Sequence, residues 1–362
     1  MPETIDTAYK FGAGRYLQGK GVLEQAGREL RRYGTKVWVV GGPTALFVAS
    51  ERLKAGFADA GLPAVFFEYG GHCCREEAQA CARQLRQKGC DVVAGVGGGR
   101  IMDFAKLCAW YAGCRVVNIP TSTATCAAYT PLVVLYTPQG QTIGNFYMEE
   151  ETSAVLLDMD VLRSQPPRCA AAGVLDAMAK AVEIKNGSPE AAEDILPIDL
   201  RTGYVLAQHI YTYLFAHGRE ACADIEAHRA TRTVEDTVFL CMAATGMVSG
   251  LSKAFGQSAI AHEFYYQVRT HYTRESAAFL HGEIVAVGLL VQLVYNRTPE
   301  QLPMLRAFMK AMDMPISLSG IGIPPTAETL APVREGLLRS PFVGDTAACA
   351  RRLDQALDEI LY

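Results

Sequence analysis

The stretch Gly97-Gly98-Gly99-Arg100-Ile101-Met102-Asp103-Phe104-Ala105-Lys106 constrains this chain more than any other. It follows the apolar, strand-like run Asp91-Val92-Val93-Ala94-Gly95-Val96 and opens a helix-like run that continues through Trp110. Adjacent glycines between a buried strand and a helix let the backbone approach a ligand closely. The helix N-terminus behind them offers unpaired N–H groups and the positive end of a dipole, which suits a pyrophosphate. Glycines also make ordinary tight turns at such junctions, but the order of strand, glycines and helix favours a phosphate loop. The stretch is neither a Walker A loop nor a G-x-G-x-x-G fingerprint.

Around this loop the N-terminal half alternates short apolar strands with amphipathic helices. Strands are expected over Lys36–Val40, Ala64–Phe67 and Arg115–Pro120, and helices over Glu51–Ala60 and Arg75–Lys88. The first strand ends in the turn Gly41-Gly42-Pro43. Such alternation predicts an α/β domain with a mostly parallel, Rossmann-like sheet and ligand at the strand C-terminal ends. The pattern changes at Ser164-Gln165-Pro166-Pro167, beyond which helical periodicity dominates: Ala170–Lys185, Arg201–Phe215, Thr233–Gly250 and His281–Val294. A double proline is a poor helix interior and a natural hinge. The expected division is therefore a nucleotide-binding α/β domain over 1–165 and an all-α domain over 166–362.

Composition narrows the function. At 362 residues the chain exceeds the size at which one core usually stops growing. A formal charge of −4 argues against nucleic acid as partner, since a basic stripe would be needed. No apolar run is read as long enough to cross a bilayer, and Met1 to Arg15 lacks the apolar core of a signal peptide. Eleven cysteines, an odd number without paired C-x-x-C sequences, read as small core residues of a cytoplasmic protein.

The chain resembles the iron-containing (group III) alcohol dehydrogenase family, in its glycerol-dehydrogenase-like branch. The resemblance covers nearly the whole length. It is carried by the glycine loop with Asp103 and Lys106, by Ile119-Pro120-Thr121, Thr125 and Leu132 to Tyr136, by Gly173-Val174-Leu175-Asp176-Ala177, and by Ala261-His262 with Leu280-His281-Gly282. The segment Thr125 to Leu132 is similar to bacterial hydroxycarboxylate dehydrogenases more than to glycerol dehydrogenases. The resemblance implies the shared dehydroquinate-synthase-like architecture and a homo-oligomer. It also implies a nicotinamide cofactor, with Gly97, Gly98, Gly99 and Asp103 at the pyrophosphate. Thr121, Thr125, Thr130, Leu132 and Tyr136 would then line the nicotinamide half.

The same resemblance makes Asp176, His262 and His281 the expected metal ligands and catalytic centre, with zinc expected ahead of iron. One carboxylate and two imidazoles with an open fourth position suit either ion. His271 is the nearest rival, but its flanks read as exposed loop. Asp176 and Lys180 stand four apart on one helix and share a face. Lys180 is thus expected either to bind a substrate carboxylate or to form an ion pair with Asp176 or Glu183. Glycerol dehydrogenases carry Asp where this chain has Cys126, a weak hydrogen-bond group that cannot replace a carboxylate at a polyol. They also carry Asp at the position of Gly42, so its loss leans the cofactor from NAD towards NADP. The expected activity is hydride transfer between NADP or NAD and a small 2-oxo acid/2-hydroxy acid pair. Polyol oxidation is the alternative. A sugar-phosphate lyase of the dehydroquinate-synthase type is the second alternative; it would call for Asp-Leu-Ala-Gly where this chain has Asp103-Phe104-Ala105-Lys106, and for a basic cluster that this chain lacks.

Overall fold

In the computed structural model, residues 8–188, 196–253 and 256–361 are described. The chain runs through β1 (Tyr16–Gly19), α1 (Ala26–Leu30), β2 (Val37–Gly41), α2 (Pro43–Asp59), β3 (Ala64–Glu68), α3 (Arg75–Gln87), β4 (Val92–Gly97), α4 (Gly99–Ala112) and β5 (Arg115–Pro120). A hairpin of β6 (Leu132–Tyr136) and β7 (Thr142–Tyr147) precedes β8 (Ala154–Asp158) and the short α5 (Met159–Leu162). The helices α6 (Pro167–Glu183), α7 (Ile198–Glu226), α8 (Arg232–Phe239), α9 (Thr245–Leu251), α10 (Ile260–His271), α11 (His281–Tyr295), α12 (Leu302–Lys310), α13 (Ala327–Arg339) and α14 (Ala347–Asp358) follow. Among the described residues no strand occurs after Asp158. The expected fold class, a mostly parallel α/β half followed by a helical half, is what the chain adopts.

Six parallel strands form the sheet in the order β1-β8-β5-β4-β2-β3. From β2 the chain builds outward to β3, then returns to place β4 on the other side of β2. That reversal is the switch point at which open α/β sheets bind ligands. Gly41 is in register with Val96, and Gly97 with Pro120, so Gly42, Gly98 and Thr121 leave the sheet side by side. Val37 and Val39 join one buried cluster with α2, whereas Trp38 and Val40 join another with α3 and α4. Burial on both faces explains why these strands read as unbroken apolar runs. The second cluster continues through α4 into α6, α10 and α11, so sheet and helical half share one core.

Several boundaries differ from expectation. Helix α2 begins at Pro43 rather than Glu51, because Gly42 caps it and Pro43 presets the first helical φ. Pro167 likewise starts α6 as its first-turn residue. The four strands β1, β6, β7 and β8 were not anticipated from the pattern. Helix α10 runs to His271, so Arg269 and Thr270 are helical and not loop, although His271 itself is exposed. The helix expected over Thr233–Gly250 is present but contains a π-helical segment, Leu240–Ala244, between α8 and α9. Contrary to the expectation that no stretch reaches membrane-spanning length, Arg232–Leu251 does so with a mean hydropathy of 1.3; 67% of it is buried inside the protein.

Candidate metal and nucleotide site

The glycine loop is built as the pattern predicts. Gly98 caps α4 in an extended conformation, and the helix starts at Gly99 with its first N–H groups facing outward from the sheet edge. The Thr121 amide donates to Gly97 O at 2.9 Å, which ties the end of β5 to the loop. A Cβ at Gly99 would stand 2.9 Å from Thr125 Oγ1, so only glycine lets the 121–127 loop lie this close. Asp103 is turned inward: it pairs with Lys106 at 2.8 Å and accepts from the Val134 amide at 3.0 Å. The fully buried Lys106 ammonium in turn donates to the carbonyls of Ala127 (2.8 Å), Thr130 (3.0 Å) and Leu132. Asp103 and Lys106 thus fold the segment that carries Thr125, Thr130, Leu132 and Tyr136 back over α4. Thr130 is buried, while Thr121, Thr125, Leu132 and Tyr136 are half-buried.

The opposite side of the 121–127 loop meets α6. A Cβ on Gly173 would fall 1.9 Å from Thr123 O, so helix and loop are in backbone contact. One turn later α6 presents Asp176, then Lys180 and Glu183, a buried charged stripe at i, i+4 and i+7. His262 lies in the first turn of α10, and His281 is the first residue of α11. Their Nε2 atoms stand 3.2 and 3.3 Å from the same oxygen, Asp176 Oδ1. The ligand atoms of all three residues lie within 4.8 Å of one another. Asp176 Oδ1 is buried and has no hydrogen-bond partner. An orphaned carboxylate oxygen between two imidazole nitrogens fits a divalent cation, since such an atom is otherwise costly to bury.

Charge in the cluster suits that role. Burial works against ionisation of Asp176, but Lys180 and the two imidazoles hold its carboxyl well below the usual range. Burial pushes His281 down, which keeps the imidazole neutral and able to ligate. Burial pushes the Cys126 thiol up to about 12, with Asp176 adding to the rise, so Cys126 is a neutral thiol and not a thiolate ligand. His209, His217 and His228 are exposed and lie outside the cluster.

Two residues of the site escaped sequence reasoning. Glu183 accepts from the amides of Ala259 (2.7 Å) and His262 (2.9 Å) and faces His262 Nδ1 at 2.5 Å. It therefore caps α10 from another helix and orients the imidazole, the usual supporting shell of a ligating histidine. The buried stripe on α6 was its only signal. Tyr265 packs edge-on against His281, with ring centroids 4.2 Å apart, and its hydroxyl lies 3.2 Å from that of Tyr136. This pair joins the hairpin to α10, and nothing in the local sequence announces it. Lys180 Nζ stands 2.8 Å from His262 Nε2.

Comparison with known proteins agrees with this architecture. A family model described as iron-containing alcohol dehydrogenase matches residues 13–159. Hydroxycarboxylate dehydrogenase A of Escherichia coli (strain K12) is 31% identical over 287 residues, spanning 79% of this chain and 77% of that protein. A glycerol dehydrogenase of Escherichia coli O6:H1 is 28% identical over 312 residues, 86% of this chain and 83% of the relative. The solved glycerol dehydrogenase structure from Schizosaccharomyces pombe superimposes with a TM-score of 0.83 over 99% of this chain and 92% of its own, at 24% identity, a likeness of fold.

Proposed function

The chain belongs to the iron-containing alcohol dehydrogenase family, and from that premise we propose that it moves hydride between NADP(H) and a small 2-oxo acid/2-hydroxy acid pair. When bound, the nicotinamide supplies the hydride chemistry and a divalent cation, zinc ahead of iron, supplies Lewis acidity at the substrate oxygen. Asp176, His262 and His281 hold the cation in this reading. Gly97 to Gly99, at the N-terminus of α4, hold the pyrophosphate, and the 121–136 segment lines the nicotinamide.

One observation carries the substrate class: a buried ammonium, Lys180, stands inside the metal cluster. A cation there attracts a carboxylate and offers little to a neutral polyol. Cys126 supports the reading, as a neutral thiol that would not repel an anion. Polyol oxidation is the second reading, favoured by the relatives named glycerol dehydrogenase. A panel of 2-oxo acids, glycerol and neutral aldehydes, followed at the reduced-nicotinamide absorbance band, separates the two. With metal saturating, Lys180→Met should raise KM for 2-oxobutyrate about tenfold or more and leave a neutral aldehyde nearly unchanged. An equal effect on both, or efficient glycerol oxidation at low concentration, overturns the acid reading.

The choice of NADP rests on Gly42. It caps α2 at the switch point, and a Cβ there would meet nothing closer than 3.9 Å, so the space beside the ribose is open. Thr44, exposed in the first turn of α2, is placed to donate to a 2′-phosphate. Gly42→Asp should fit without strain and shift the ratio of kcat/KM towards NADH by roughly tenfold or more. A parent enzyme that already prefers NADH strongly would reverse the assignment.

The eleven cysteines are all free thiols, which suits a reducing, cytoplasmic compartment.

A further inference from the structure

We infer that Lys180 competes with the divalent cation for His262, so that the lysine weakens metal binding and metal loading frees its ammonium for an acidic substrate. The inference rests on the metal-dependent reading above. His262 Nδ1 faces Glu183 Oε2 at 2.5 Å, and a buried carboxylate held by two backbone amides acts there as an acceptor. Nδ1 therefore carries the ring proton and Nε2 the single lone pair. Lys180 Nζ, 2.8 Å from Nε2, donates to that lone pair. A ligating imidazole must offer the same lone pair to its metal. One lone pair cannot serve an ammonium and a cation together.

Electrostatics acts in the same direction. The ligand atoms of Asp176, His262 and His281 lie within 4.8 Å of one another, and Asp176 and Lys180 project from one face of α6. A divalent ion in that cluster and an ammonium beside it repel strongly, because little water separates them. Lys180 cannot withdraw to solvent in place, as its side chain is buried between α6 and α10. It has to turn away from His262, and its charge is then available to a carboxylate. Cation and acid anion therefore assist one another's binding, although each is bound by different groups.

The bland role for Lys180, orienting Asp176 as its ion-pair partner, predicts the opposite sign. Losing an orienting partner weakens metal binding, whereas losing a competitor tightens it. The test is a titration of the whole protein with Zn2+ against a chromophoric chelator, with no cofactor or substrate present. Lys180→Met should bind Zn2+ at least about tenfold more tightly than the parent. Lys180→Gln should reproduce the gain if the Met variant folds poorly, and Lys180→Arg, which keeps the charge, should not. Unchanged or weaker affinity in both neutral variants overturns the competition and leaves the ligand assignment standing. His281→Ala serves as the control: if it binds Zn2+ as tightly as the parent, the ligand assignment itself falls.

Discussion

Alanine at His281 is expected to strip the metal from the protein and to lower hydride transfer by about 10³-fold or more, since a cation at the reacting oxygen contributes several kcal/mol. His262→Ala should do the same, but it is the less informative change. Its ring is the partner of Glu183, whose buried carboxylate would then lose a neighbour and unsettle the start of α10. His281 has a side chain 22% exposed and no comparable partner, so its removal disturbs the fold less. Both variants should still bind the nicotinamide cofactor, because the glycine loop belongs to β4 and α4 and shares no residue with the metal cluster. Metal content by elemental analysis, cofactor binding by fluorescence and turnover by absorbance together check this. Full occupancy and full turnover in either variant contradict the assignment.

A second large effect is expected from one methyl group. Gly173→Ala places a Cβ 1.9 Å from Thr123 O, and neither partner can yield easily, since both are backbone. Helix α6 would have to withdraw from the 121–127 loop. The cost is expected at about 3 kcal/mol, the upper end of ordinary overpacking. Asp176 lies one turn along the same helix, so the metal cluster would move with it relative to the nicotinamide loop. Turnover should fall by more than the loss of folded protein accounts for, as hydride transfer tolerates little misplacement. A melting midpoint and a turnover number both equal to the parent's would show that helix and loop are less tightly apposed than described.

How much of this was legible beforehand depended on distance along the chain. The glycine loop is a local feature: strand, turn and helix stand next to one another, so Asp91 to Trp110 announces its own conformation. The metal cluster is not local. Asp176, His262 and His281 have no diagnostic spacing, and only likeness to a family singled them out. Glu183 was passed over because its partners, the amides at the start of α10, are some eighty residues away in sequence. The missed strands have separate causes. The run Ala154-Val155-Leu156-Leu157 is apolar without period, so it does not distinguish strand from buried helix. Tyr16–Gly19 is a short, half-buried edge with one flanking partner, β8. Thr142–Tyr147 contains Gly144 and Asn145, both poor strand formers, and is held by pairing with β6 and by the Asn145–Tyr266 contact.

The π-helical turn at Leu240–Ala244 gives the helical half an unusual sensitivity to its own length. A π turn holds one residue more than an α-helical path needs. Deleting a single residue there would let Arg232–Leu251 run as one regular helix, with everything beyond the deletion rotated by roughly 100°. Two glycines lie in the rotated part, and both now face close neighbours. A Cβ on Gly246 would meet the Tyr129 ring at 2.2 Å, and one on Gly250 would meet Lys10 O at 2.2 Å. After the rotation bulkier side chains would face those walls, and the glycines would face elsewhere. The extra residue and the two glycines are therefore one unit of heredity. Sequences that drop the first should be found without the other two, and a shortened chain should regain its fold only when all three change together.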